Sequence, residues 1–325
     1  MSKKIVTGLL LMSCFCFALP ALAQEEQGEK KKRSSVKKSD HDHIQINGRT
    51  LRWEHSSTDD GTKITLALKN AQFNDDYTDV ERIADDGYFR VSEERGGTVQ
   101  RLEITPEADG QLKRVYSVRG ETRPFDSAAR QWLARLLSES VAGSGFDAEA
   151  RVVKVLKRGG TSAVLAEIAR LKTDYARRVY SNVLLEQGNL SAEQLAKLLT
   201  QSARTISSDY EKATLLIQVL KNNLRDANVR AAFFETVGTI SSDYERGRVL
   251  AVLFKRSDLT AETVLAALRS MRGMSSDFEK ANVLIRASKT EAANETVRAS
   301  IIEAAHALGS DHERGRVLTA VTKKQ

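Results

Sequence analysis

A tetrapeptide that returns at a fixed interval does most to limit the fold. Thr173-Asp174-Tyr175-Ala176 is followed by Ser208-Asp209-Tyr210-Glu211, Ser242-Asp243-Tyr244-Glu245, Ser276-Asp277-Phe278-Glu279 and Ser310-Asp311-His312-Glu313, with the aspartates 35, 34, 34 and 34 residues apart. A constant period of this length means stacked supersecondary units, each unable to bury its apolar face alone. Four of the five motifs read S-x-x-E, the capping-box pattern. In it the Ser hydroxyl accepts from the N3 amide and the Glu reaches back to the N-cap amide. Asp in the first helical position adds favourable charge near the positive end of the dipole. Each motif therefore predicts a helix start. One apolar stripe follows each start, as in Leu215-Leu216-Val219 and Val249-Leu250-Leu253.

A second helix precedes each motif, predicted over 192–205, 227–239, 261–272 and 295–308. Two antiparallel helices per unit make an α-solenoid. After Pro124 the chain is free of proline, which suits continuous helices because proline removes a donor and clashes in helix interiors. The position four after the Asp is Ala213, Gly247, Ala281 or Gly315. Glycine in a helix costs up to about 1 kcal/mol relative to alanine, so the repeated small residue points to close approach of a neighbouring helix. The first unit departs, with Ala176 for Glu and Arg178 for the small residue, as terminal units often do. Two further helices are predicted ahead of it. Asp126 or Ser127 caps the first and Gly143 ends it; Asp147 caps the second and Gly159 closes it.

Charge offers one candidate surface. Lys212, Arg246, Lys280 and Arg314 share a position three after the Asp. With Arg248 and Arg316 they are read as the candidate interaction surface, a basic column beside Glu211, Glu245, Glu279 and Glu313. The competing reading is local pairing of Asp243 with Arg246 and Glu245 with Arg248, worth only about 0.2–0.5 kcal/mol each. The motif tyrosines are read as packing between helices rather than as ligand-stacking groups.

Residues 44–125 read as strands. Ile64, Leu66 and Leu68 alternate with polar or small residues, as do Phe89 with Val91 and Leu102 with Ile104. Period two marks a sheet with one buried face. Asp59-Asp60-Gly61, Asp85-Asp86-Gly87, Gly96-Gly97 and Asp109-Gly110 are read as hairpin turns, since Gly and Asp tolerate positive φ. A meander of five or six strands is expected. The acidic run 74–79 lacks the Gly and terminal Glu of a calcium loop and is read as a plain polar loop. The fold class is α+β, predominantly α: an N-terminal antiparallel β meander at 44–125, then a C-terminal α-solenoid at 126–325.

The first 23 residues read as a signal peptide. Lys3 and Lys4 precede an apolar stretch at 5–18, Pro20 breaks it, and Ala21-Leu22-Ala23 fits a cleavage site. Lipidation at Cys14 is the minor alternative. Cys14 and Cys16 are the only cysteines, so cleavage after Ala23 leaves a mature chain without any, suited to an oxidising periplasmic or extracellular space. Residues 24–43 read as a disordered basic linker. Its Lys30, Lys31, Lys32, Arg33, Lys37 and Lys38 could touch an anionic membrane surface weakly. The formal net charge of +7 is of mixed sign, unlike a dedicated nucleic-acid binder. His41-Asp42-His43 has no metal-ligand spacing beyond a lone H-x-H.

The period equals that of tetratricopeptide repeats, but their Trp-Leu-Gly-Tyr pattern and Pro are absent. The S-D-Y-E-[KR]-[AG]-x-[VL]-L unit, with Arg123-Pro124-Phe125-Asp126 and Trp132-Leu133-Ala134, resembles a group of secreted, largely uncharacterised bacterial helical-repeat proteins over residues 45–325. It is also similar to extracytoplasmic repeat regions attached to membrane metallopeptidases of the BlaR type. The catalytic H-E-x-x-H of those peptidases does not occur here, so the resemblance carries no catalytic residue, metal or cofactor. The expected function is a non-enzymatic scaffold for a protein partner. The alternatives are a cell-envelope sensor or ligand-binding module, with aromatics around Trp53 or Trp132, and an enzyme with its site at the sheet–solenoid junction.

Overall fold

The computed structural model describes residues 41–47, 50–221 and 224–322. The expected signal peptide, the lipidation alternative and the basic run at 30–38 lie outside these residues.

Seven strands form one antiparallel sheet in chain order: β1 (His41–Asn47), β2 (Thr50–Ser56), β3 (Lys63–Phe73), β4 (Val80–Arg95), β5 (Thr98–Pro106), β6 (Leu112–Val118) and β7 (Glu121–Arg123). The alternating residues point to one buried face, where Ile64, Leu66, Phe89, Leu102 and Ile104 are almost fully enclosed. The sheet exceeds the expected five or six strands. β1 takes up 41–43 from the expected linker, pairing with β2 in register from His41 opposite Ser56. β7 follows a tight turn at Arg119-Gly120, both with positive φ.

One expected turn is overturned. Asp85-Asp86-Gly87 lies inside β4, opposite a register shift between Lys69 and Ala71 of β3. A Cβ on Gly87 would stand 2.5 Å from the Lys69 carbonyl oxygen, and Asn70 has φ 51°. Glycine serves a bulge here, where backbones approach closely. The chain reverses instead in the acidic loop, where Asn74 Oδ1 accepts from the amides of Thr78 (2.8 Å) and Asp79 (3.1 Å).

Eleven helices follow: α1 (Ser127–Ser144), α2 (Ala148–Arg170), α3 (Asp174–Gln187), α4 (Ala192–Thr205), α5 (Asp209–Val219), α6 (Ala227–Gly238), α7 (Asp243–Leu253), α8 (Ala261–Ser270), α9 (Asp277–Ser288), α10 (Glu295–His306) and α11 (Asp311–Thr322). From α2 onward they alternate between two layers. α3, α5, α7, α9 and α11 lie side by side, and α2, α4, α6, α8 and α10 form the other row. Asp126 caps α1 by accepting from the Ala129 amide, and Gly145 ends it in the left-handed conformation. Gly159 closes the first helical stretch of α2 as expected: it and Gly160, with φ 63° and ψ -166°, leave helical geometry, and a second stretch runs on across this kink to Arg170.

The sheet is not a separate body from the helices. α1 lays Ala129, Trp132, Leu133, Leu136 and Leu137 on the buried face, in one core that runs through α3. Glu93 of β4, 5% exposed, accepts from Trp132 Nε1 (2.8 Å) and Arg135 Nη2 (2.6 Å). The charged pair therefore pins α1 to the sheet where a lone buried carboxylate would be costly. A second core occupies α4 to α11. The two meet at α4, which gives Leu198 to the first and Leu195 and Leu199 to the second. The cores thus divide within the helices, not at the β-to-α boundary at 125/126.

Candidate functional site

The recurring motif builds its site from the backbone outward. In α5, α7, α9 and α11 the motif serine hydroxyl accepts from the amide of Glu211, Glu245, Glu279 or Glu313, each at 3.3 Å. That half of the expected capping box is present. The reciprocal half is not, because the serine's own amide is taken by the aspartate of the preceding unit. Ser208 N donates to Asp174 Oδ2 (2.7 Å), Ser242 N to Asp209 Oδ2 (2.8 Å), Ser276 N to Asp243 Oδ2 (2.6 Å) and Ser310 N to Asp277 Oδ2 (2.9 Å). Burial alone would raise Asp243, yet the Ser276 amide and the Ser275 hydroxyl and amide hold its carboxyl below the usual range. The Ser310 amide does most to lower Asp277. The glutamates turn to arginines instead: Glu211 to Arg178, Glu245 to Arg248 (2.6 Å) and Glu313 to Arg316 (2.5 Å).

Half of the expected basic column is buried, with Lys212 4% and Arg246 5% exposed, while Lys280 and Arg314 are half-buried. Lys212 Nζ donates to the Thr239 carbonyl just after α6 (3.3 Å), and burial pushes its ammonium pKa down. The Arg246 guanidinium donates to the carbonyls of Gly238, Ile240, Ser270 and Arg272, at the ends of α6 and α8. Arg314 reaches Leu308 O (2.8 Å) and Asp311 (2.6 Å), and Lys280 lies 3.4 Å from Asp277. A cation at a helix C-terminus satisfies orphan carbonyls and the dipole. Three of these four residues are thereby occupied with helix ends. The local pairing of Asp243 with Arg246 is not made either, whereas that of Glu245 with Arg248 is.

Arg248 and Arg316 take a different path. Arg248 of α7 lies over the Tyr210 ring of α5 (5.2 Å) and donates to Thr214 Oγ1 (3.1 Å). Arg316 of α11 lies over the Phe278 ring of α9 (5.6 Å) and donates to Asn282 Oδ1 (3.1 Å). Arg178 covers the Tyr175 ring at 5.1 Å. The motif aromatics are therefore not buried between helices as expected, and Tyr210 and Phe278 meet the neighbouring helix only through its arginine. Tyr210 is 56%, Tyr244 64% and Phe278 55% exposed. Together with half-buried Tyr175 and exposed His312 they form a row along one edge, at the starts of neighbouring helices. Exposed aromatics scattered singly need no explanation, whereas these recur at one position of successive units.

The junction of sheet and helices holds a cleft of about 790 Å³ walled by Leu51, Leu68, Phe73, Phe146, Val179 and Val183. Asp147 at its mouth has φ 55° and does not cap α2, since its carboxylate accepts from the Tyr77 hydroxyl instead. Burial raises Asp147 above the usual carboxylate range and raises Tyr77 as well. Acid–base chemistry needs a proton to be free to move, and burial makes the Tyr77 hydroxyl harder to ionise. Trp53 and Trp132 are buried packing residues outside the cleft lining. Among the described residues no group of three or more His, Cys, Asp or Glu is placed to hold a metal, and no helix is long and apolar enough to cross a membrane.

Sheet and helices define an antiparallel β meander continued by a two-layer α-solenoid whose one edge carries a row of exposed rings. No known protein family, curated protein or solved structure matches the chain.

Proposed function

We propose that the chain is a protein-interaction scaffold that engages its partner along the aromatic edge of the solenoid. The supporting observation is the exposure of Tyr210, Tyr244 and Phe278 at one recurring position, over half of each residue open to solvent. Aromatic side chains held rigid lose little entropy on binding and serve as anchors. The stacked guanidiniums of Arg248 and Arg316 supply that rigidity for two of the three. In this reading the apolar leader delivers the chain to the periplasm or beyond, and Lys30, Lys31, Lys32, Arg33, Lys37 and Lys38 add weak attraction to an anionic membrane. A photo-crosslinking residue placed at Tyr244 should capture a discrete partner in the cell envelope. The same residue at Glu193, on the opposite edge, should capture none. Equal labelling from both positions would remove the aromatic edge as the interaction site. The junction cleft favours a second reading, a small-ligand module, because its volume suits a small molecule.

A further inference from the structure

We infer that the occupant of the aromatic edge is an acidic peptide segment in the extended polyproline II conformation, with an apolar residue at every third position. The inference rests on the scaffold reading and adds the chemistry of the partner. Three arguments carry it: the interval at which side-by-side helices repeat, the hydrogen-bonding groups beside the rings, and the charge left over on the edge.

The rings belong to helices packed side by side in one layer, where axes lie about 8–10 Å apart. A ligand that uses every ring must repeat on one face at that interval. A polyproline II helix has three residues per turn and rises 3.1 Å per residue, so one face returns about every 9.3 Å. A β-strand returns about every 6.6 Å and falls out of step after one ring. An α-helix can match at every seventh residue, about 10.5 Å, but its carbonyls are already bonded. A polyproline II backbone keeps its carbonyls unpaired. The edge offers donors for them: the phenols of Tyr210 and Tyr244 and the hydroxyls of the exposed residues Ser207 and Ser241 that precede the caps.

Charge sets the sign of the partner. Most acids of the edge are occupied, Asp174, Asp209, Asp243 and Asp277 by serine amides and Glu211, Glu245 and Glu313 by arginines, while Glu279 is half-buried. The helices of the other layer end on this same edge, and there Arg170, Lys172, Arg204, Arg269 and Arg272 are exposed. Glu235, Glu303 and Asp311 are the exposed acids near it, two of them in the last unit. From α2 to α9 the edge is therefore basic beside its rings, which favours an acidic segment and makes its capture salt-sensitive.

The test uses the mature chain and labelled fifteen-residue peptides, about 46 Å long as polyproline II, read by fluorescence anisotropy. A Pro-Pro-Glu repeat should bind at least tenfold more tightly than a Pro-Pro-Lys repeat, and than a helical peptide with Leu at every seventh position among Glu and Ala. Raising salt from 50 to 500 mM should weaken it several-fold. The triple variant Tyr210→Ser, Tyr244→Ser, Phe278→Ser and the variant Lys172→Glu, Arg204→Glu, Arg272→Glu should each lose at least tenfold in affinity with far-UV circular dichroism unchanged. Equal binding of the Glu and Lys repeats overturns the inference, as does an unaltered affinity in the ring variant. Tighter binding of the helical peptide overturns it as well. If crosslinks at Tyr244 persist while the Pro-Pro-Glu repeat does not bind, the partner chemistry is wrong and the scaffold reading stands. If crosslinks at Tyr244 match those at Glu193, the scaffold reading fails too.

Discussion

Asp243 does two jobs at once. It opens α7, and its carboxylate accepts both amides at the start of α9. Replacing it with alanine should cost about 1–2 kcal/mol, the lower end for hydrogen bonds to a charged group because the site is partly exposed. Urea unfolding measures it, and Asp243→Asn should recover part of the loss. Ser242→Ala removes only the cap within the unit and should cost about 0.5–2 kcal/mol. The pH dependence follows from the same contacts. Asp243 and Asp277 are lowered on folding, so the unfolded chain binds more protons in acid. Their stabilisation is complete above the unfolded aspartate value near pH 3.9, and is lost as pH falls through the lower folded values. Acid titration followed by circular dichroism should show a shallower loss for Asp243→Asn in that window. The cap serine was legible in the sequence because its bond is local. The partner of its amide was not, because an N1 aspartate looks the same whether it serves its own helix or the next. The exposure of the aromatic was within reach. At 100° per residue it points roughly 120° from the stripe Ala213-Leu216-Val219, a geometric consequence that residue type alone conceals.

Glycines separate two kinds of close approach between elements. On α7, a Cβ at Gly247 would meet the Glu279 carboxylate of α9 at 3.0 Å, whereas one at Gly315 of α11 meets nothing within 4 Å. Gly315→Ala should therefore raise stability by about 0.5–1 kcal/mol through helix propensity. Gly247→Leu should lower it by about 1–3 kcal/mol by forcing α9 away; thermal melts of the two variants should move in opposite directions. The expected close approach is thus present at Gly247, where it is made by a side chain and not a backbone, and absent at Gly315. At Gly87 it is the backbone itself, 2.5 Å from an added Cβ. The sequence reading mistook that glycine for a turn because Asp-Asp-Gly is equally at home in a hairpin and in a bulge. Only the partner strand decides between them. Strand alternation and helix period were readable because each depends on near neighbours in the chain.

At the scale of the whole molecule, the sheet and the first helices stand or fall together. Cutting at the β-to-α boundary would strip Trp132, Leu133, Leu136 and Leu137 of their cover and Trp132 of its bond to Glu93. A fragment covering 126–325 should bind a hydrophobic dye and lack the near-ultraviolet dichroism of packed aromatics, while the intact chain shows the reverse. Period alone located the solenoid but could not locate its core boundary at α4, which depends on which face of Leu195, Leu198 and Leu199 meets which neighbour. The aspartate that completes the next unit's helix start has a further consequence for how such an array changes length. Every unit from α3 to α9 hands a carboxylate forward, and each unit that follows offers the same two amides, so a duplicated unit arrives with its connection already specified. The arginines stacked on the rings follow a looser rule. Arg248 and Arg316 come from alternate units, and each reaches back into the unit before its own, to Thr214 and Asn282. A copied unit therefore brings its helix-start connection in every case, but a stacking cation only when it is one of the two units with arginine five residues after the aspartate.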